Sequence, residues 1–302
     1  MGKITYIFFL TLLAVALSGC GKHEANANKV RIAYLPITHA LVLYETQKSK
    51  DLNVELVKYG SWPELLDALN TGRVDAASVL IEPAMKAREQ GIDLTVLALG
   101  HRDGNVIVGA KGIRTAGELR EKNFAVPHRA SSHYLLFRKY LEKNGVSADS
   151  VRVTELAPAE MPSALASGRI AGYCVAEPFG AVAVENGSGV VLASSSELWP
   201  DSICCALTVN RRFLKEKPEL AAKFLSEYKL AGERLANPST ALANAAAFLK
   251  CSSSVLNRSL RWIHFDKLEL SPQAYLELTK MMKQYGISRN PPSYQEFAGE
   301  TP

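Results

Sequence analysis

The segment ELLDALNTGRV at residues 64–74 recurs as EMPSALASGRI at residues 160–170. In each copy a helical stretch leads through Gly-Arg into an apolar run, and the runs end in Glu-Pro, at Glu82-Pro83 and at Glu177-Pro178. A repeat with so long a period is not that of a solenoid. It predicts two similarly built lobes, and the alternative is a common helix-strand pattern that arose twice.

Short β-rich runs alternate with helical stretches around the two copies. Strands are predicted at residues 30–35, 53–58, 76–80, 94–99, 106–110, 123–126, 151–155, 172–175, 190–192 and 206–209. Helices are predicted between them at residues 63–70 and 132–144, and then, in a C-terminal segment that is mainly helical, at residues 218–237, 239–250 and 271–285. This alternation predicts an α/β fold with mostly parallel sheets and a helical C-terminal segment.

The N-terminal residues have the pattern of an export signal. A lone Lys3 precedes an apolar run from Ile4 to Leu17, which is too short to span a membrane, and Leu-Ser-Gly-Cys then matches the bacterial lipobox. We therefore expect a signal peptide at residues 1–19. A lipidated Cys20 and a flexible tether through residue 29 would then hold an exported protein on the cell membrane. An uncleaved signal anchor is the alternative.

Composition excludes several functions. The formal net charge of +5 is mild, and no basic run with interleaved aromatic residues indicates nucleic-acid binding. The cysteines after Cys20 form no CxxC pair, so their spacing predicts no metal site; we expect buried thiols, with a disulfide as the alternative. Neither GxSxG nor HExxH occurs, and no catalytic residue or cofactor is predicted.

Several short segments between about Val30 and Phe213 carry a family resemblance. They are AYLP at 33–36, GSW at 60–62, the segment 68–75, SHYLL at 132–136, AEM at 159–161, AEPF at 176–179 and WPDSICCA at 199–206. In this order they resemble the type II periplasmic binding proteins of the nitrate, sulfonate, taurine and bicarbonate importers. The resemblance implies a Venus-flytrap fold. Its first lobe would span residues 30–112 plus 206–302, and its second lobe residues 113–205.

The resemblance also implies a function. A protein of this kind is the substrate-binding component of an ABC importer: a monomer that captures a small solute in the cleft between its lobes and delivers it to the permease and its ATPase. Some proteins with this fold are enzymes of pyrimidine synthesis or the menaquinone pathway. Those enzymes are cytosolic, whereas this chain carries an export signal, so an enzyme is the less favoured alternative.

Ligand in such a fold is expected at the carboxyl ends of the strands. The side chains that we expect there are Thr38, His39, Trp62, Glu82, His101, Asn105, Ser131, Ser132, His133 and Glu177. The start of the helix after residue 130 offers hydroxyls, free amides and a favourable dipole to a negative group. The resemblance implies ligand contacts for Trp62 and His133; a core tryptophan and a capping-region histidine are the alternatives.

Two departures from the family's nitrate branch bear on the ligand. No lysine lies between Val151 and Arg212, where that branch has one in its anion pocket. Glu82 and Glu177 stand at equivalent points of the two repeats, and two carboxylates would repel a bare anion. We therefore expect a ligand with both donors and acceptors. A zwitterionic sulfonate fits, and so does a nitrogen heterocycle such as a pyrimidine or flavin vitamin precursor stacked on Trp62.

Overall fold

The fold was analysed in a computed structural model that describes residues 29–299 and Pro302. The predicted signal peptide, Cys20 and most of the tether lie outside the described residues. The strands are β1 (Lys29–Tyr34), β2 (Asn53–Lys58), β3 (Ala76–Leu80), β4 (Leu94–Leu99), β5 (Arg102–Asp103), β6 (Asn105–Ala110), β7 (Asn123–Val126), β8 (Arg152–Glu155), β9 (Gly172–Ala176), β10 (Gly189–Ser194), β11 (Cys205–Asn210) and β12 (Ile263–His264).

The helices lie between and after the strands. They are α1 (Leu41–Thr46), α2 (Trp62–Asn70), α3 (Ile81–Glu89), α4 (Ser132–Lys143), α5 (Met161–Ala166), α6 (Phe179–Glu185), α7 (Ser195–Leu198), α8 (Arg211–Glu216), α9 (Pro218–Leu235), α10 (Pro238–Leu249), α11 (Ser253–Ser259), α12 (Pro272–Gln284) and α13 (Tyr294–Phe297). Every strand and helix predicted from the sequence is present, with ends within two residues of the prediction.

Two five-stranded sheets form the two lobes. The sheet of the first lobe has the order β2-β1-β3-β11-β4, and that of the second lobe has the order β8-β7-β9-β6-β10. In each sheet the first three strands are parallel and the remaining two pair antiparallel. The sheets therefore share one topology, in which β1, β2 and β3 correspond to β7, β8 and β9. This confirms the predicted α/β fold with two similarly built lobes.

The repeated sequence occupies equivalent places in the two lobes. Residues 64–74 form most of α2 and the turn into β3, and residues 160–170 form α5 and the turn into β9. Gly72 and Gly168 follow these helices with positive φ values of 70° and 74°. Glycine adopts this conformation without steric cost, which ends the helix and redirects the chain into the next strand.

The chain crosses between the lobes near residues 100–104 and again near residues 195–204. At these crossings the Asp103 carboxylate accepts hydrogen bonds from the Ser195 hydroxyl at 3.2 Å and from the amide and hydroxyl of Ser202 at 3.3 and 2.9 Å. One buried side chain thus ties the two crossings together. The strand β6 directly after the first crossing pairs in the second sheet, although the boundaries expected from the sequence assign residues 105–110 to the first lobe.

A small sheet of β5 and β12 reinforces the first crossing. Arg102 donates from its guanidinium to three backbone carbonyls, those of Asp201, Lys267 and Glu269. Gly104 has a φ of 82°, and a Cβ at this position would lie 2.9 Å from a side-chain carbon of Ile263. The crossing is therefore closely packed, and residue 104 must be a glycine to pass beside β12.

The helical C-terminal segment contacts both lobes. Its long helix α9 buries Phe224 and Tyr228 in the same hydrophobic cluster as Leu41 of α1, on the first lobe. The shorter helix α11 reaches the second lobe, where Arg258 donates to Glu185 of α6 at 2.6 Å. The segment therefore also joins the two lobes.

The lobes are packed against each other. One hydrophobic cluster contains Leu80 and Ile81 of the first lobe together with Ile107 and Phe124 of the second. Such a shared core indicates the closed arrangement of a two-lobed protein. Among residues 29–299, no helix combines the length and apolarity needed to cross a bilayer.

Candidate functional site

All ten predicted ligand residues are buried, with at most 2% of any of them exposed. They do not all meet. Eight side chains form what we call the polar cluster, at the junction of the two lobes and the crossings: His39, Glu82, His101, Asn105, Ser132, His133, Cys204 and Cys205. Of the remaining predicted residues, Thr38 and Glu177 contact each other beside the cluster, Ser131 caps a helix, and Trp62 belongs to the hydrophobic core.

His39 stands at the centre of the polar cluster. It lies in a short 3-10 helix after β1, and its ring centroid is 3.6 Å from that of His101 and 6.4 Å from that of His133. Its Nε2 lies 3.1 Å from the Gly104 carbonyl, which can only accept. In the neutral ring Nε2 therefore carries the proton, and the lone pair of Nδ1 is directed at Cys205 Sγ, 3.5 Å away.

Cys204 and Cys205 are the site residues that the sequence did not single out. Both thiols are free and fully buried, which confirms the expected buried thiols, and their sulfurs are 4.0 Å apart. Cys204 Sγ lies 3.9 Å from the side-chain oxygen of Asn105. The backbone amide of Cys205 lies 3.4 Å from His101 Nε2. Because β11 pairs with β3 and β4, its first residue is brought beside the loops that follow both strands.

The second lobe contributes Ser132 and His133 from the start of α4. Both ring nitrogens of His133 and the hydroxyl of Ser132 are buried without a hydrogen-bond partner among the described residues. Both carboxyl oxygens of Glu82, in the first turn of α3 in the first lobe, are also buried without a hydrogen-bond partner among the described residues. A buried polar atom without a partner costs free energy, so this combination is unusual in a core formed for packing alone.

Burial controls the protonation of the cluster. It lowers the pKa of His101 and of His133 to about 4, so both rings are neutral at neutral pH. Burial, together with the nearby Cys204, raises the pKa of Glu82 well above its ordinary value; the hydroxyl and amide of Ser132 lie close enough to oppose this shift only in part.

The thiols of Cys204 and Cys205 have pKa values shifted in opposite directions. Burial opposes the ionisation of Cys204, but a hydrogen bond from Cys205 and the three facing imidazoles hold the pKa of Cys204 well below its ordinary value. Burial and the neighbouring Cys204 sulfur raise the pKa of Cys205 well above its ordinary value. Of the two thiols, Cys204 is therefore the one whose ionisation the surroundings favour.

Glu177 and Thr38 form a separate contact between the lobes. The carbonyl of Glu177 accepts from both the amide and the hydroxyl of Thr38, each at 2.9 Å. The Glu177 carboxyl group turns toward its own lobe and the C-terminal segment, where Oε2 lies 3.1 Å from the Ala181 amide and 2.8 Å from the Ser259 hydroxyl. Glu82 and Glu177, equivalent in sequence, thus have different surroundings.

Two further predicted residues have structural surroundings. The Ser131 hydroxyl accepts from the Tyr134 amide at 3.3 Å and donates to the His128 carbonyl, as an N-cap of α4 does. Trp62, at the start of α2, is in the hydrophobic cluster that spans both lobes, and its indole N–H has no partner among the described residues. A ligand contact of Trp62 stays a prediction.

Sequence spacing predicted no metal site, yet four possible ligands meet. One donor atom each from His39, His101, Cys204 and Cys205 can be chosen so that all lie within 4.8 Å of one another. These residues come from three distant segments, so a search for local motifs such as CxxC does not detect them. The available signal was the adjacent cysteine pair at the start of a strand that follows a lobe crossing.

The more open surface grooves lie away from these residues. One of about 870 Å³ is lined by residues 50–53 and by residues 216–220 with Lys223, on the first lobe. It contains none of the predicted ligand residues. The polar cluster is instead enclosed by the closed lobes.

Comparison with known proteins places the chain in a family. Residues 23–250 match the NMT1-like family. The ligand-binding component of an ABC-type import system from Staphylococcus aureus, solved with zinc bound, is 37% identical, with a TM-score of 0.86 over 90% of this chain and 96% of that one. The alkanesulfonate-binding protein of Xanthomonas axonopodis pv. citri, bound to MOPS, is 21% identical, with a TM-score of 0.73 over 88% and 95%.

The curated relatives match a smaller share of this chain than these solved structures do. A nitrate import ATP-binding protein of Synechocystis is 28% identical over 212 residues, which are 62% of this chain and 31% of that protein. The chain thus spans about a third of the length of this protein and of two similar bicarbonate transport ATP-binding proteins. The similarities together support a substrate-binding role. The chain belongs to the NMT1-like family, and its two lobes have the fold of the periplasmic solute-binding proteins.

Proposed function

We propose that this chain is the solute-binding component of an ABC importer, which closes its two lobes on a small ligand and presents it to a membrane permease. The observation that carries the proposal is a set of buried polar atoms at the junction of the lobes that have no hydrogen-bond partner within the described part of the chain. They are both oxygens of Glu82, Nδ1 of His101, Nδ2 of Asn105, Oγ of Ser132 and both ring nitrogens of His133.

These atoms explain why a ligand is needed. Each buried donor or acceptor without a partner costs about 1–3 kcal/mol, so a closed empty cluster is unfavourable. A ligand that supplies the missing partners removes this cost only when the lobes are closed around it. Ligand binding would therefore shift the protein toward the closed state, as expected for a hinge-closing receptor.

The chemistry of the cluster favours a ligand other than a bare oxyanion. Asn105 Nδ2 is a donor, whereas the neutral rings of His101 and His133 each offer one donor and one acceptor. Glu82 is a poor neighbour for an anion when ionised and a single donor when protonated. This mixture supports a ligand with both donors and acceptors, or a cation, more than it supports nitrate.

The remaining features of the proposal come from the sequence and from relatives. Export and a lipid on Cys20 are proposed from the lipobox, and delivery to a permease with its ATPase is supported by relatives from import systems. A monomeric state is proposed from the family resemblance alone. We propose no catalytic activity. The thiols and imidazoles of the cluster are adjacent, but they are buried and have no open approach for a substrate.

Thermal denaturation of the purified mature protein tests this function. The panel contains nitrate, taurine, alkanesulfonates, pyrimidines, flavins and, because the Staphylococcus aureus relative was solved with zinc, Zn²⁺. A true ligand at 100 times its Kd stabilises the folded state by about 2.7 kcal/mol, which raises Tm measurably. Mass spectrometry of small molecules and metals released on denaturation identifies a ligand that copurifies. If no compound raises Tm and nothing is released, the proposed function is wrong.

A further inference from the structure

The donor atoms of the polar cluster are spaced like the corners of a coordination tetrahedron. With Zn–S of about 2.3 Å and Zn–N of about 2.0–2.1 Å, tetrahedral angles give S–S edges of about 3.8 Å and S–N edges of about 3.6 Å. The sulfurs of Cys204 and Cys205 are 4.0 Å apart, and Cys205 Sγ is 3.5 Å from His39 Nδ1. The other pairs lie within 4.8 Å, so side-chain shifts of about an ångström complete the tetrahedron.

The second shell of His39 already holds the ring as a metal ligand requires. A metal-binding histidine typically donates its other ring N–H to a carbonyl or carboxylate, which fixes its tautomer and orientation. Nε2 of His39 does so toward the Gly104 carbonyl at 3.1 Å, which leaves Nδ1 free to coordinate. Gly104 lies at the closely packed first crossing, so the acceptor is held rigidly.

The donor set selects a particular class of cation. Two thiolates and two imidazoles suit zinc and other borderline or soft ions, whereas magnesium, calcium and manganese prefer oxygen ligands. Two thiolates also cancel the charge of a divalent ion, so the buried complex is neutral. Without that compensation a buried divalent charge would be costly.

The close packing of the cluster also favours an ion over an organic molecule. The ring centroids of His39 and His101 are 3.6 Å apart, and Cys205 Sγ lies 3.5 Å from His39. An organic solute would have to separate these groups widely, whereas an ion requires the rings of His39 and His101 to move apart by only about 1.5 Å. An ion would occupy the position between donor atoms that are already near coordination spacing.

The four donors belong to the first lobe and to the two crossings, whereas His133 comes from the second lobe. Both nitrogens of the His133 ring are buried without partners among the described residues, and its centroid is 6.4 Å from that of His39. An ion held by the first lobe would therefore meet His133 only after closure.

From these observations we propose that the ligand of this protein is a thiophilic divalent cation of the zinc class, bound by His39, His101, Cys204 and Cys205 and covered by His133. Binding releases a proton from each cysteine that is still protonated and coordinates as a thiolate, and no electron is transferred. The inference rests on the proposed importer function and names its cargo.

Metal titration of the reduced, metal-free protein tests the site. We expect one equivalent of Zn²⁺, measured against a competing chelator, and for the Co²⁺ derivative thiolate charge-transfer absorption with intense tetrahedral d–d bands. Cys204→Ser and Cys205→Ser should each raise the Kd at least about 100-fold, since loss even of a second-shell partner costs 10–100-fold. Cys251→Ser and His264→Asn, which change residues outside the cluster, should leave the Kd unchanged.

A second measurement avoids dependence on variants that fold poorly. In the wild-type chain, Zn²⁺ should protect Cys204 and Cys205 from alkylation during partial unfolding, as read by peptide mass spectrometry, while Cys251 reacts equally with and without the ion. Unchanged alkylation of the pair, an octahedral Co²⁺ spectrum, or wild-type affinity in the double cysteine variant would overturn the proposal.

The outcomes separate this inference from the importer function. If an organic compound raises Tm and Zn²⁺ does not, the metal site is wrong and the solute-binding function stands. If neither raises Tm and nothing copurifies with the protein, both are wrong.

Discussion

The rings of His39 and His133 lie nearly parallel, at 16°, with centroids 6.4 Å apart across the junction of the lobes. His39 follows β1, and His133 follows β7, which is the corresponding strand of the second sheet. The repeat thus places one histidine from each lobe at equivalent positions. Only His39 has partners for its ring nitrogens in the closed structure; those of His133 have none among the described residues.

This difference predicts opposite effects of His133→Leu with and without ligand. The leucine removes two nitrogens that are buried without partners in the closed state, so the closed ligand-free state should gain about 1–3 kcal/mol and the free energy of unfolding should rise by up to that amount. The stabilisation by ligand should fall, because His133 no longer completes the closed site. Urea denaturation with and without Zn²⁺ measures both effects. His264→Leu, at an exposed position, is the control; a ligand-free His133→Leu protein less stable than wild type would contradict the prediction.

The buried carboxyl group of Glu177 should make the stability of the protein depend on pH. Burial raises its pKa to about 7, although Ala181, Ser259 and Arg258 oppose the shift. The folded state therefore retains this proton between pH 4.5 and about 7, whereas the unfolded state loses it, so the contribution of Glu177 to stability is fully present at acidic pH and is lost as pH rises through this window. At about 1.4 kcal/mol per pKa unit, the effect reaches about 3 kcal/mol.

The hydrogen bonds of Ser259 agree with a protonated Glu177. Its hydroxyl lies 2.8 Å from Glu177 Oε2 and 2.8 Å from the Val255 carbonyl, but it has one proton for the two acceptors. A protonated carboxyl group can donate to the hydroxyl instead. We expect Glu177→Gln to remove the part of the pH dependence that Glu177 contributes, so that the variant gains stability relative to wild type as pH rises from 5 to 8, as measured by urea denaturation. The exposed Glu216→Gln should retain the wild-type slope, and an equal slope in both variants would exclude this role.

Gly180 occupies a closely packed position in α6, where a larger residue should destabilise the protein. A Cβ at this residue would overlap both Val106 Cγ2 and Glu177 Oε1. Gly180→Ala should therefore destabilise the protein by about 1–3 kcal/mol, because the neighbouring groups must move within a packed core. At Gly112 a Cβ would meet no atom within 4 Å, so Gly112→Ala should change stability by less than about 0.5 kcal/mol. Equal unfolding midpoints for the two variants would contradict the packing argument.

Lipidation of Cys20 would determine where the protein resides in the cell. In a bacterial host that processes lipoproteins, the wild-type chain should fractionate with membranes and carry an added lipid mass on Cys20. Cys20→Ala should remove the lipid and shift the protein to the soluble or secreted fraction. Cys251→Ala, which changes a cysteine in the folded body, should remain with the membranes; retention of Cys20→Ala there would indicate an uncleaved signal anchor.

The sequence was sufficient to predict most of the fold. Residues 64–74 and 160–170 carry hydrophobic spacing and glycines that determine a helix, a turn and a strand locally, so their equivalence could be read without a structure. The crossing was harder to locate, because Asn105 begins a strand whose apolar residues suit either sheet. Only pairing with β9 and β10 assigns it to the second lobe.

The site was predictable in part. Residues at strand ends, such as His39 and Glu82, could be expected near the cleft because the topology gathers those ends. Cys205 could not, because its neighbours come from the loops after β3 and β4, and this proximity depends on antiparallel pairing across distant segments. Local spacing contains no information on such a cluster, whereas long-range strand register does.

In the proposed importer, the Gly104 carbonyl would link opening of the lobes to release of the bound ion. It lies 3.1 Å from His39 Nε2 and also accepts from the Glu177 amide at 3.3 Å, so one oxygen serves a residue from each lobe. If a permease pulls the lobes apart at this crossing, it also disturbs the acceptor that sets the tautomer of His39. Opening would then favour the tautomer in which the coordinating Nδ1 of His39 carries the proton. In this way the mechanical work of the transporter would directly weaken the affinity of the site.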